Sequence, residues 1–208
     1  HELGYFESVA FSLFVFIVIV NSINLVDGID GLSASLSLFF LSTTAYFFYI
    51  TSHEYLILIV SFCTTLIVFL IFNYSSSRKL FLGDTGSLGL GLCIACISLG
   101  WLNTGHPSYG TFPINQSLFV VLMLAYPLLD VIRVFIIRIY NRKSFMDPDK
   151  NHIHHKLISI GFTHKEAVGI IIITQLILMI FNSHVINNQN LHLQIIINAI
   201  IIFFLITI

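Results

Sequence analysis

The length of its apolar runs limits this chain more than any other feature. A bilayer's hydrocarbon core takes about 20 consecutive apolar residues of helix. Seven stretches of the 208 residues reach or approach that length, at about 9–26, 32–50, 55–72, 88–102, 118–140, 167–181 and 191–208. They are too long for barrel strands and do not alternate with period two. Even the isoleucine-rich segment 195–202, strand-prone in water, is driven helical in lipid, where the backbone must satisfy its own hydrogen bonds. Composition agrees. Only 9% of residues are charged, against roughly 25% in soluble domains, too few to cover a globule in water. A soluble enzyme, a nucleic-acid binder and a disordered regulator are excluded as leading readings. The expected fold is all-α, a polytopic transmembrane helical bundle of about seven spans. No linker or low-complexity segment divides it, so residues 1–208 read as one integral membrane domain.

The placement of charge orients the bundle. Arg78 and Lys79 lie between the third and fourth stretches. Arg133, Arg138, Arg142, Lys143, Lys150, Lys156 and Lys165 lie at the end of the fifth and in the loop after it. With seven spans these loops share one side, which the positive-inside rule makes cytoplasmic. The opposite loops, 51–54, 103–116 and 182–190, hold no Lys or Arg. The expected N-terminus is outside and the C-terminus cytoplasmic. Glu2 and Glu7 precede the first stretch without a basic n-region, so no signal peptide is read there. Cys63, Cys93 and Cys96 sit in apolar runs. The Cys93-x-x-Cys96 spacing fits small residues of a spanning helix better than a redox or metal pair.

Polar groups that do not belong in lipid gather in three clusters on the inferred cytoplasmic side, and carboxylates at a membrane edge are functional candidates because burying them is expensive. The first is residues 21–32, where Asn21, Asn24 and Asp27 recur every three residues on one helix face. Asp30 follows, with Gly28 and Gly31 allowing a turn or a close approach to a ligand. A polar helix end with a glycine turn is the plainer reading, but two amides and two acids in ten residues exceed what a cap needs. The second is Asn73, then residues 78–87. Asp84 and Ser87 suit a helix N-terminus, and chemistry alone leaves two roles open for Asp84, a cap or a magnesium ligand in a phosphate site. A Walker A loop is absent. The third is residues 147–156, with His152, His154 and His155 within four positions beside Lys150 and Lys156. Adjacent His154 and His155 point apart and no Cys or Glu lies close, which disfavours zinc, while Lys and His donors suit phosphate. His1, His53, His106, His164, His184 and His192 stand alone and read as loop or interface residues. Asp130 and Arg133, three apart in the fifth stretch, read as a structural ion pair, with a site role as the alternative.

In this order the clusters resemble the polyprenyl-phosphate N-acetylhexosamine-1-phosphate transferases of glycosyltransferase family 4. The resemblance spans nearly the whole chain. It rests on N-x-x-N-x-x-D-G-x-D-G-L at 21–32, F-x-G-D-x-G-S at 81–87 and D-x-x-H-x-H-H at 149–155. Ile153 interrupts the histidine triplet that muramoyl-pentapeptide transferases carry unbroken. The interruption, with Gly161-Phe162-Thr163 followed by Ala167, resembles the branch that uses UDP-N-acetylglucosamine and undecaprenyl phosphate. That branch starts O-antigen and other lipopolysaccharide, teichoic-acid or enterobacterial-antigen glycans of the cell wall.

The resemblance implies transfer of N-acetylglucosamine-1-phosphate, or a similar sugar-1-phosphate, from a UDP-sugar to polyprenyl phosphate with release of UMP. It implies Mg2+, with Mn2+ as a substitute, held by Asp84. Asp27, Asp30 and Asn24 would line the nucleotide-sugar site. Asn73 and Phe81 would contact uridine. Lys150 would bind substrate, and His152, His154 and His155 would bind phosphate or order the loop over the site. The implied partners are the UDP-sugar, the polyprenyl lipid and the membrane, not nucleic acid, in a bacterial inner membrane with the site facing the cytoplasm. A homodimer is an assembly the resemblance admits. The family's Asp-Asp pair, upstream of the first motif, is absent, as are about four preceding spans. The chain therefore reads as the C-terminal two-thirds of such an enzyme, inactive by itself. The competing readings are a phospho-N-acetylmuramoyl-pentapeptide transferase, a transporter using Asp27, Asp30, Asp84 and Asp130, and a non-catalytic membrane scaffold.

Overall fold

The computed structural model of the chain describes residues 4–51, 55–103, 116–142 and 152–182. It comprises two compact units, His1–Thr104 and Gly105–Ile208. The first holds α1 (Tyr5–Leu25), α2 (Leu32–Thr51), α3 (Leu56–Asn73) and α4 (Gly83–Asn103). The second holds α5 (Gln116–Met123), α6 (Ala125–Tyr140), α7 (Ile153–Ser159) and α8 (His164–Phe181). All described regular structure is helical. Six of the seven apolar stretches carry helix, and the seventh lies outside the described residues. Helices α1, α3, α4 and α8 are each long and apolar enough to cross a membrane. In α2 the apolar part is shorter, Leu32–Tyr46.

In the first unit α1 packs along α4, and α2 packs along α3 and, over a smaller area, against α4. Ile19, Ile23, Leu32, Phe40 and Ile94 fill the interior, while Phe11, Phe14, Ile17, Ile57 and Ile71 face outward, a pattern that suits lipid surroundings. Helices in lipid gain little from burying apolar surface and associate where small residues let backbones meet. Gly91 of α4 is such a place. A Cβ there would stand 2.8 Å from Val20 Cα and 2.9 Å from Val20 O on α1. Side-chain hydroxyls within the spans turn back on their own helices. Thr43, Thr44, Ser61 and Thr65 donate to carbonyls four residues earlier, which keeps these four donors from standing bare in hydrocarbon.

Two boundaries differ from the sequence reading. Helix α4 starts at Gly83 rather than about residue 88, because the polar Gly83–Ser87 turn is already helical. The stretch 118–140 is not one helix: α5 and α6 meet at Leu124 with a 65° bend. Pro127 explains the break, since its ring collides with the carbonyl four residues back and it has no N–H to donate. Further on, α7 ends in a Schellman motif. Gly161 takes φ +106°, the Phe162 N–H donates to Leu157 O and the Gly161 N–H to Ile158 O. Helix α8 then opens on a capping box, the Glu166 N–H donating to Thr163 Oγ1 and the Thr163 N–H to Glu166 Oε2.

Candidate active site

In the first unit the polar residues of two distant motifs meet where α1 ends and α4 begins. Asn24, in the last turn of α1, donates from Nδ2 to Ser87 Oγ at 2.8 Å and to Asp84 Oδ1 at 3.4 Å. Ser87 is no N-cap. It lies one turn inside α4 and donates to Gly83 O. Helix α1 ends at Leu25, so Asp27 stands in the turn that follows rather than on the helix face with Asn21 and Asn24. Asn21 points elsewhere and donates to Ile17 O of its own helix. The Asp27 carboxyl is pushed up to about 6, first by partial burial and then by the negative charges of Asp84 and Asp30. Asp30 pairs with Lys79 Nζ at 2.7 Å, and the same ammonium lies 5.2 Å from the Phe81 ring centre.

The turn bearing Asp30 is fixed by Gly31. Its φ is +79°, and a Cβ there would fall 2.0 Å from the Tyr74 hydroxyl. The 74–82 segment is tied down by Asn73, whose Nδ2 donates to Leu80 O at 2.7 Å. That bond precedes Phe81, a residue left 74% exposed. The Asn73 Oδ1 is buried without a hydrogen-bond partner among the described residues. Asn24, Asp27, Asp30, Asn73, Phe81 and Asp84, all expected in the site, thus lie on the segments that connect or terminate the four helices of this unit.

In the second unit the histidines are gathered by an acid that sequence reasoning assigned elsewhere. Asp130 of α6 is fully buried. Its Oδ2 accepts from His152 Nδ1 at 2.6 Å and its Oδ1 from the Ile153 N–H at 2.8 Å, which caps α7. His154, also fully buried, has Nδ1 3.3 Å from the Tyr126 hydroxyl, and its Nε2 has no partner among the described residues. Burial, above all, holds its pKa down at about 4. The rings of His152 and His154 stack at 5.2 Å, and that of His155 is 4.4 Å from His154. Sequence reasoning missed Asp130 as the partner of His152, and missed Tyr126 and Gln175, the polar residues that flank the cluster. Pro127 in mid-span and a lone Gln175 in an isoleucine run were the available signals. Lys150, Asp147, Asp149 and Lys143 lie outside the described residues.

Two places invite a cation. Asp130, His152 and His154 bring ligating atoms within 4.8 Å of one another. The 2.6 Å Asp130–His152 separation is, however, a hydrogen bond, shorter than the roughly 3 Å between two ligands held at about 2.1 Å around one ion, and imidazole is a poor ligand for Mg2+. The first unit fits Mg2+ better. Asp84 and Asp27 offer hard carboxylate oxygens, and after burial the negative charges of Asp84 and Asp30 add to the rise of the Asp27 pKa, charge that an ion would offset.

Known proteins resemble the chain over most of its length. Residues 1–102 match the model of glycosyl transferase family 4. Over 155 residues the chain is 37% identical to the probable undecaprenyl-phosphate N-acetylglucosaminyl 1-phosphate transferase of Bacillus subtilis, covering 74% of this chain and 41% of that protein. It is 32% identical to the decaprenyl-phosphate N-acetylglucosaminephosphotransferase of Mycobacterium leprae over 79% of this chain and 45% of that one. With the undecaprenyl-phosphate alpha-N-acetylglucosaminyl 1-phosphate transferase of Escherichia coli K12 the identity is 27%, over 81% and 44%. The chain spans less than half the length of these relatives. Their matches are longer than either unit and so run past the domain match into the second. Together with the three motifs, they establish that the chain belongs to glycosyl transferase family 4.

Proposed function

We propose that the protein carrying this chain transfers N-acetylglucosamine-1-phosphate from UDP-N-acetylglucosamine to a polyprenyl phosphate, as the names of its relatives describe for them. A phosphate oxygen of the lipid bonds to the sugar-bearing phosphorus. The bond from that phosphorus to the bridging oxygen breaks, and UMP leaves with the electron pair. The site belongs on the cytoplasmic side of a bacterial plasma membrane, where the basic residues of the sequence concentrate.

The observation that carries this reading is the meeting of Asn24 with Asp84 and Ser87, contributed by motifs about 60 residues apart, amid three carboxylates. Joining two anions is slow because they repel, so catalysis is positioning and charge neutralisation. Asp84 and Asp27 would hold Mg2+, which supplies that neutralisation across the diphosphate. Asn24 orients the Asp84 carboxylate by donating to Oδ1. The exposed Phe81 ring offers a face for the uracil, and Asn73 Oδ1, an acceptor without a partner, suits an imide N–H. His152, hydrogen-bonded through Nδ1 to Asp130, keeps Nε2 for a phosphate or its proton. The test uses protein expressed from its native reading frame, supplied with UDP-N-acetylglucosamine, undecaprenyl phosphate and Mg2+. Mass spectrometry is expected to show the prenyl-diphospho-sugar and UMP in equal amounts. Absence of both refutes the proposal.

A further inference from the structure

The break between α5 and α6 leaves a specific pair of backbone groups to be satisfied. In an unbroken helix the Tyr126 N–H would donate to Leu122 O, four residues back. Here one side chain serves both. The Gln175 Nε2 of α8 donates to Leu122 O, and its Oε1 accepts from the Tyr126 N–H at 3.3 Å. Gln175 is 1% exposed. In surroundings without water, broken spans survive where a neighbouring helix satisfies the freed groups, and this carboxamide matches the gap donor for acceptor and acceptor for donor.

What the break accomplishes lies on the next turn. Tyr126 and Asp130 are four residues apart and share one face of α6. Tyr126 meets His154 Nδ1, and Asp130 holds His152 Nδ1 and the first N–H of α7. These contacts join α6 to the histidine segment immediately past the point that Gln175 secures. We propose that Gln175 is a positioning residue: its carboxamide, inserted in the interrupted hydrogen-bond series of α5–α6, sets the direction of α6 that lets Tyr126 and Asp130 hold the histidines. The link to turnover rests on the reading of His152, His154 and His155 as site residues. The link to their geometry does not.

The experiment separates support from positioning by using Pro127. Gln175→Leu keeps the bulk and strands both backbone groups. Adding Pro127→Ala lets α5 and α6 close into one helix, so that the Tyr126 N–H and Leu122 O satisfy each other without Gln175. Two readouts are taken on the full-length protein in detergent. One is the downfield proton signal of His152 Nδ1–H, assigned by its loss in Asp130→Asn. The other is kcat and KM for UDP-N-acetylglucosamine. Gln175→Leu is expected to lose the signal and roughly a hundredfold in kcat, the loss a misplacement of about 1 Å produces, with KM within about twofold of the wild type. The double variant is expected to regain thermal stability while signal and kcat stay lost. Return of the signal in the double variant, or its persistence in Gln175→Leu, overturns the proposal and leaves Gln175 a structural support. Should the single variant not fold, the double variant alone decides by the same signal. Should the wild type make no product, the proposed reaction fails while the signal still decides for or against Gln175.

Discussion

The two units handle polar groups in opposite ways. In the first, Asn24, Asp27, Asp30 and Asp84 are partly exposed, and three acids crowd together, with Lys79 paired to Asp30. In the second, Asp130, His152 and His154 are buried, Asp130 bonded to His152 and to the Ile153 N–H, and His154 to the Tyr126 hydroxyl. A cluster left electrostatically strained and open is poised to receive a charged ligand. A buried cluster bonded largely within itself is built to hold a shape. On the proposed reading the first unit captures the charged ligand, while the second orders the histidine segment and presents His152 Nε2, and this division can be broken by experiment.

The largest effect is expected from Asp84→Asn. Removing a carboxylate that would hold the metal should reduce turnover a hundredfold or more, about 3 kcal/mol of transition-state stabilisation. Melting in detergent should hardly move, because the residue is exposed. Near-normal turnover would remove Asp84 from its role. Asp130→Asn should do the reverse in kind. It places an amide donor against the Ile153 N–H or the His152 Nδ1–H, and leaving a buried group unsatisfied costs about 1–3 kcal/mol of stability, read as a lower melting temperature. An unchanged melting temperature would mean that the second cluster is not the rigid one.

A smaller effect concerns pH. The Asp27 carboxyl sits at about 6 when folded against 3.8 as a free side chain. The folded state therefore binds this proton more tightly, and the contribution of Asp27 to stability is fully present below 3.8 and lost as pH rises to about 6. Metal-free protein should lose melting temperature across that window, Asp27→Asn should flatten the loss, and Mg2+ should remove it. A profile that Asp27→Asn leaves unaltered would show that the three acids are not coupled. The smallest effect is Lys79→Ala. Its pair with Asp30 is solvated, so stability should change by less than about 1 kcal/mol, measured by the same melts.

The long apolar runs made the four helices of the first unit and α8 legible, because in lipid run length nearly determines helix. The acid-rich motifs were legible as well, since Asn24, Asp27 and Asp84 have no reason to stand at a membrane edge without a task. The second unit was harder. Asp130 and Arg133 read as a pair because they are three apart, but that spacing could not show that Asp130 also bonds His152, 22 residues on. Nearness in sequence does not reveal a partner that comes from a distant segment. A lone Gln175 in an apolar run was a signal, but its partners were illegible, because they are backbone atoms that become free only where Pro127 breaks a helix about 50 residues earlier. A polar residue that completes another segment's backbone does not name its partner locally.

The contact of Gly91 with Val20 has a further meaning when read along the helices. One turn from Val20 is Asn24, and one turn from Gly91, in the same direction, is Ser87. The pair that touches without side-chain space therefore sits directly above the pair that forms the 2.8 Å hydrogen bond. The hydrogen atom of Gly91 acts as a calliper. It sets the gap between α1 and α4, and the reach from Asn24 to Ser87 below is governed by a methyl group that is not there.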